Sequence, residues 1–352
     1  MSKTRHYSLD FIKVLGTIFI LFHHYQQFIC GSFADGLNFY GGCYNFGYMV
    51  ELFFILSGFF MFPYICEIQY NKSFKTFFLT RYLRLVPLVS VAAIIYQGLV
   101  LLHIKTVGTA WFMHSPKLWE TLVAALGMQE GWVFANNTYV NYPVWYVSVL
   151  LLCYVLFYVV TYISKKMHFS VRYLYFACIF GGLYINACNL HLPFLNEYTA
   201  RGYYAFFFGV LLSTYYYERS SSNRECIFWG SVFIILIDII AFHTGFVEGD
   251  IQYLSTFLLF PAIIIIFRTP CVEKLFKHRF FSTLAAISFN AFLWHMPLIV
   301  ILLILNYKIN ISIFLLTRTG MVVFTIVTML IGALSHFLIE RRTILLCKKY
   351  QK

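Results

Sequence analysis

Apolar residues in this chain do not alternate, and they do not recur as a single helical stripe. They run in long blocks separated by short polar stretches. A helix needs roughly 20 mostly apolar residues to cross a bilayer's hydrocarbon layer. The pattern predicts ten such blocks: Leu9–Ile29, Phe46–Ile65, Leu85–His103, Val144–Ile163, Leu174–Ala187, Thr199–Tyr217, Ile227–Phe246, Ile251–Phe267, Leu284–Leu305 and Ile313–Ile339. Leu174–Ala187 is short, and Ile251–Phe267 follows closely on its neighbour. The expected fold is all-α, a polytopic transmembrane helical bundle of about ten spans. It forms one membrane domain over residues 1–352, with no fused soluble domain.

Composition agrees with the block pattern. The chain is 61% hydrophobic and only 11% charged, with mean hydropathy +0.74. Soluble domains carry about a quarter charged residues, so water could not cover this surface and lipid must. The net charge of +12 would suggest nucleic acid on a soluble protein. Here the positive-inside bias accounts for it. With the N-terminus cytoplasmic, the outer segments hold only Lys105, Lys117, Arg201, Lys308 and Arg318, and Lys13 lies within a helix. The remaining basic residues fall on the cytoplasmic side, which places both termini there. The moderately apolar stretch Leu118–Phe134 would reverse that pattern if it crossed the membrane, so it is read as interfacial or re-entrant. High aromatic and isoleucine content with little alanine points to a bacterial source, hence the cytoplasmic (inner) membrane. Nine cysteines include no C-x-x-C pair, so no metal site is expected. Cys30 and Cys43 share one outer loop, where an oxidising exterior permits a bridge.

Ionisable groups inside spans are costly and mark function by default. The first block, SLDFIKVLGTIFILFHHYQ, places Lys13 and His24 within about 20° of the same helical face and ~16 Å apart. His23 points about 80° away and is read as a packing residue, and Asp10 can pair with Lys13. In VELFFILSGFFMF, Glu51 lies at a depth similar to His24. A carboxylate beside an imidazole is the arrangement of a general base, so Glu51 is expected to orient His24. FFLTRYLRLVP sets Arg81 and Arg84 three apart at a cytoplasmic helix start, where guanidiniums can hold phosphates. SFNAFLWHMPLI contributes Asn290 and His295, and HFLIERR contributes His336 and Glu340. Trp145 and Tyr146 open the fourth block.

This ordered set resembles the acyltransferase-3 family. Relatives carry an Arg-x10-His pair in the first helix, an F-F-x-x-S-G-F run that here contains Ser57, an R-x-x-R-L-x-P run, a late W-H-x-P-like motif and an I-E-basic ending. The resemblance covers essentially the whole chain. Lys13 stands where the family commonly has Arg, which keeps the charge but loses the bidentate fork. The run VWYVSVLLLCYVLF lacks a carboxylate that many relatives carry after a similar Trp.

The resemblance implies transfer of an acyl group, by family default acetyl, from cytoplasmic acyl-CoA to a hydroxyl of a cell-surface polysaccharide or lipid-linked sugar. Lys13, Arg81 and Arg84 would meet the nucleotide phosphates of acetyl-CoA, and His24 would act as general base or acyl carrier. His295, Asn290, Trp145 and Ser57 would contact or support the acceptor. Two other classes compete. A transporter or flippase would use Lys13, His24 and Glu51 as a substrate or proton path, but the chain has no internal repeat or paired Gly/Pro breaks. A membrane scaffold would not need Lys13 and His24 in phase.

Overall fold

The computed structural model describes residues 6–33, 36–41, 45–109, 117–132, 140–218, 221–243, 251–343 and 345. Among them the chain is helical, and the only β pairing is an isolated bridge between Leu192 and Leu195. The helices are α1 Tyr7–Tyr25, α2 Met49–Phe59, α3 Phe62–Gln69, α4 Phe74–Val107, α5 Leu118–Ala125, α6 Trp145–Lys166, α7 Val171–Ala187, α8 Glu197–Glu218 and α9 Ser221–His243. They continue with α10 Gln252–Leu254, α11 Phe260–Phe267, α12 Pro270–Leu275, α13 Arg279–Ile309, α14 Ser312–Leu315 and α15 Arg318–Ser335. Short π-helical turns cover Gln26–Cys30, Ser255–Leu259 and His336–Glu340.

Among the described residues, four helical stretches, Phe74–Val107, Tyr142–Lys166, Arg279–Ile309 and Arg318–Thr343, are long and apolar enough to cross a membrane; a bent pair, taken as one span, makes five. The other long helices are shorter or carry polar groups inside the run, as α1 does with Asp10, Lys13, His23 and His24. Large apolar side chains lie exposed along α4 (Ile94, Leu101), α9 (Phe233, Ile240) and α15 (Ile326, Leu330). Such strips suit lipid rather than water.

Two predicted elements come out differently. The block Phe46–Ile65 is not one straight span, because its two parts meet at 42° around Phe60 and Met61. Pro63 is the cause: it has no N–H to give the carbonyl of Phe59, and its ring crowds that carbonyl. The third span begins at Phe74, well before the predicted Leu85. Ser73 Oγ caps it by accepting from Thr76 N at 3.3 Å. Pro87 lies inside this helix, so Arg81 and Arg84 sit within its first half rather than at its start. The stretch Leu118–Phe134 forms only α5 among its described residues, too short to cross and packed on α4.

Glycine sets the centre of the bundle. A Cβ on Gly58 of α2 would lie 1.9 Å from the Phe206 carbonyl oxygen, and one on Gly209 of α8 would lie 2.1 Å from that of Ile55. The backbones of α2 and α8 therefore touch, as small residues permit between membrane helices. On its other sides α8 packs against α7 and α6, while α13 packs against α1, α4 and α15. The contact of α1 with α2 joins the two groups.

Candidate functional site

His24 and His295 meet where α1 crosses α13. Their rings stack with centroids 5.0 Å apart and planes 22° apart, and both are buried. His24 Nδ1 lies 2.9 Å from Gln27 Oε1. His295 Nδ1 lies 2.7 Å from the Phe292 carbonyl. Both partners are oxygens that can only accept, so each ring donates through Nδ1–H and keeps a lone pair on Nε2. His295 Nε2 is buried without a hydrogen-bond partner.

The late proline builds this corner. Pro297 has no N–H for the carbonyl of Leu293, four residues back. Asn141 Nδ2 fills that vacancy at 3.0 Å, although Asn141 must adopt φ 52° to do so. The next residue, Tyr142, then stands edge-on to His24, with centroids 6.0 Å apart.

Beside the imidazoles lies a carboxylate centre. Glu51 is fully buried and paired with Arg201 of α8, with Nε to Oε1 at 2.5 Å and Nη2 to Oε2 at 2.9 Å. Gln252 Nε2 donates to Glu51 Oε1 at 2.6 Å, and Tyr204 donates to the same oxygen at 3.4 Å. The Arg201 guanidinium also lies 5.1 Å over the Trp145 ring. The expected orientation of His24 by Glu51 is therefore corrected: Gln27 holds His24, three residues on in its own helical phase, and Glu51 answers Arg201. The two centres still communicate. Arg201 Nη2 donates to the Gly47 carbonyl at 3.2 Å, Gly47 packs against His23, and His23 stands edge-on to His24 at 5.0 Å. His23 is thus part of the site, with Nδ1 donating to the Phe39 carbonyl at 3.0 Å.

The basic residues gather at the bend of the second span. Lys13 pairs with Asp10 at 3.0 Å and lies 4.5 Å over the Phe60 ring. Arg81 reaches the same bend from α4. Its Nη2 contacts Met61 Sδ at 3.6 Å, and its Nη1 donates to the Phe77 carbonyl at 2.7 Å. The guanidinium is stacked between the Phe77 ring at 3.7 Å and the Tyr64 ring at 4.2 Å, whereas Arg84 is exposed.

Residues 6–337, essentially the whole chain, match the family model described as Acyltransferase domain (Acyl_transf_3). The chain belongs to the acyltransferase-3 family. No curated protein and no solved structure matches it.

In this membrane acyltransferase the remaining candidates divide. Ser57 lies 3.2 Å from the Tyr146 hydroxyl, and Tyr146 also reaches the Phe53 carbonyl at 3.4 Å, so both line α2 near the site. Trp145 packs on Tyr198 at 5.0 Å beside Arg201. Asn290 belongs elsewhere. Its Nδ2 donates to Glu340 Oε2 at 2.6 Å, and its Oδ1 accepts from Ser335 at 2.8 Å. His336 Nδ1 donates to the same Glu340 oxygen at 2.6 Å. Asn290 thus fastens α13 to the end of the last span instead of facing the imidazoles. Among the described residues no group of three or more His, Cys, Asp or Glu could hold a metal ion. The expected bridge partner Cys43 lies outside the described residues.

Proposed function

We propose that this acyltransferase moves an acyl group, acetyl by preference, from acyl-CoA at the cytoplasmic face of a bacterial inner membrane to a hydroxyl of a surface polysaccharide or lipid-linked sugar. In this reading about ten spans form one domain, with both termini cytoplasmic. Exposed Arg84 with Lys13 and Arg81 meets the phosphates of acetyl-CoA. The pantetheine arm runs along α1 toward His24, a distance of ~16 Å at 1.5 Å per residue. His24 then serves as base or acyl carrier. Glu51 and Arg201 hold the turn at Gly47 that supports His23 and so the site, and Trp145, Ser57 and His295 line the acceptor side.

The observation that carries this reading is the division of α1. One end sets Lys13 on Phe60 of the helix bend whose next residue, Met61, meets Arg81, and the other sets His24 against a second imidazole whose buried Nε2 has no partner. The test is acetyl-CoA binding and consumption by detergent-purified wild type, Lys13→Ala, Arg84→Ala and His24→Ala. Loss of binding in the basic variants, with His24→Ala binding but inactive, is the expected result. A folded wild type that neither binds nor consumes any short acyl-CoA refutes it.

A further inference from the structure

We propose that His295 is a second catalytic residue: its Nε2 takes the proton of the attacking hydroxyl while His24 Nε2 carries the acyl group. This rests on the acyl-CoA reading above and assigns separate roles to the two imidazoles.

Three observations converge on it. Both Nδ1–H groups are committed to oxygen acceptors, Gln27 Oε1 and the Phe292 carbonyl, so both reactive lone pairs are on Nε2. The rings are stacked 5.0 Å apart, and two imidazolium charges that close in a buried place repel strongly. One positive charge at a time is the stable arrangement. Finally, the Nε2 of fully buried His295 has no partner. An unmatched acceptor in such a place costs stability unless an occupant donates to it. The Asn141 Oδ1 acceptor is also buried and unmatched, on the residue that holds the Leu293 carbonyl. The two open acceptors, His295 Nε2 and Asn141 Oδ1, suit an occupant bearing hydroxyls.

The steps balance. His24 Nε2 attacks the thioester carbonyl, the C–S bond breaks, and the thiolate leaves as an acyl-imidazolium forms. The hydroxyl oxygen then attacks the acyl carbon, His295 Nε2 takes the O–H proton, and the C–N bond breaks to return neutral His24. The His295 imidazolium gives that proton to the thiolate, and the products are ester and free thiol. A single histidine acylated on Nε2 could not also be the base, which is the physical reason for a second ring.

The test uses the full-length protein in detergent with [14C]acetyl-CoA, and water as the hydroxyl probe. Rapid quench follows thiol release and protein-bound label for wild type, His24→Ala and His295→Ala. Nucleotide binding and gel-filtration profile check the fold. The expected result is a burst of thiol release with His295→Ala, label retained on His24, and decay of that label slowed by about 10²–10⁴-fold. Added imidazole should restore the decay, which a merely structural role would not allow. A His295→Ala protein that decays at the wild-type rate overturns the assignment, as does one that binds acetyl-CoA but gives no burst. So does a wild type that consumes acetyl-CoA without ever carrying label. A wild type that consumes no acyl-CoA instead sinks the underlying reading, which separates the two failures.

Discussion

Glu51→Gln should damage this protein far more than a near-isosteric change suggests. Glu51 is fully buried, while Arg201 keeps 23% of its side-chain surface exposed. Removing the carboxylate's charge leaves a largely desolvated guanidinium without its counter-ion, and breaking a buried pair in this way costs 3–5 kcal/mol by rough precedent. The residual exposure of Arg201 places Glu51→Gln near the lower end, at about 3 kcal/mol. Arg201→Met strands the fully buried carboxylate, with only Gln252 and Tyr204 to hold it, so it belongs near ~5 kcal/mol. The double variant removes both charges and should be more stable than either single one. The assay is unfolding in mixed micelles followed by helicity, with all four proteins in one cycle. The reasoning fails if Glu51→Gln lies within about 1 kcal/mol of wild type, or if the two single effects simply add. Turnover should fall with Glu51→Gln as well, because Arg201 would release the Gly47 carbonyl and with it the turn that supports His23.

Three further outcomes follow from local geometry. Gly58→Ala sets a Cβ against the backbone of α8 at 1.9 Å; neither helix can yield easily, so a loss of about 3 kcal/mol or more is expected, read as a collapsed monodisperse peak in gel filtration. Asn141→Ala uncovers the buried Leu293 carbonyl left vacant by Pro297, which should cost ~1–3 kcal/mol, and Pro297→Ala in the same chain should recover most of it in a thermal-shift comparison. At the N-terminal end of α1, burial and then the Arg268 guanidinium push His6 down from 6.5 to about 4, and Arg268 Nη1 donates to its Nδ1 at 2.8 Å. The folded chain refuses a proton that the unfolded chain accepts in that window, so stability is full above 6.5 and is lost as pH falls toward 4; His6→Asn should flatten the melting temperature measured between pH 7.5 and 5.5.

The sequence makes much of this legible because charged groups in apolar runs are few. Lys13 and His24 stand out by helical phase alone, and Glu51 by its apolar surroundings. The Arg201 partnership does not. Arg201 lies near the start of an apolar block and counts equally well as a loop cation, and nothing in spacing links it to a carboxylate 150 positions earlier. That pairing depends on the approach of α2 to α8, which Gly58 and Gly209 permit. Asn141 was accessible in principle: a proline inside a span frees the carbonyl four residues back, and some side chain must answer it. The identity of that side chain is a tertiary fact. Asn290 shows the converse. Sequence proximity groups it with His295, but five residues turn a helix by about 140°, which directs it to Glu340 instead.

Irregular backbone explains where the chemistry gathers. Inside a bilayer, backbone that leaves the helical pattern must be satisfied by protein or line a cavity, so each break is costly and persists for a reason. Here the breaks coincide with polar clusters. The π-turn Gln26–Cys30 begins two residues after His24. There Gln26 bridges the Leu37 carbonyl and the Phe39 N–H, closing the loop over α1. The π-turn Ser255–Leu259 follows Gln252, which holds Glu51. The π-turn His336–Glu340 supplies Glu340, which accepts from Asn290 and from His336. Pro297 opens α13 two residues after His295, and Pro63 bends the second span between Lys13 and Arg81. A π-turn shifts the register of every later side chain and frees a carbonyl, which regular helices cannot do. The bundle therefore spends its regular helices on lipid and packing. The few irregular turns aim imidazoles, carboxylate and guanidinium at one another.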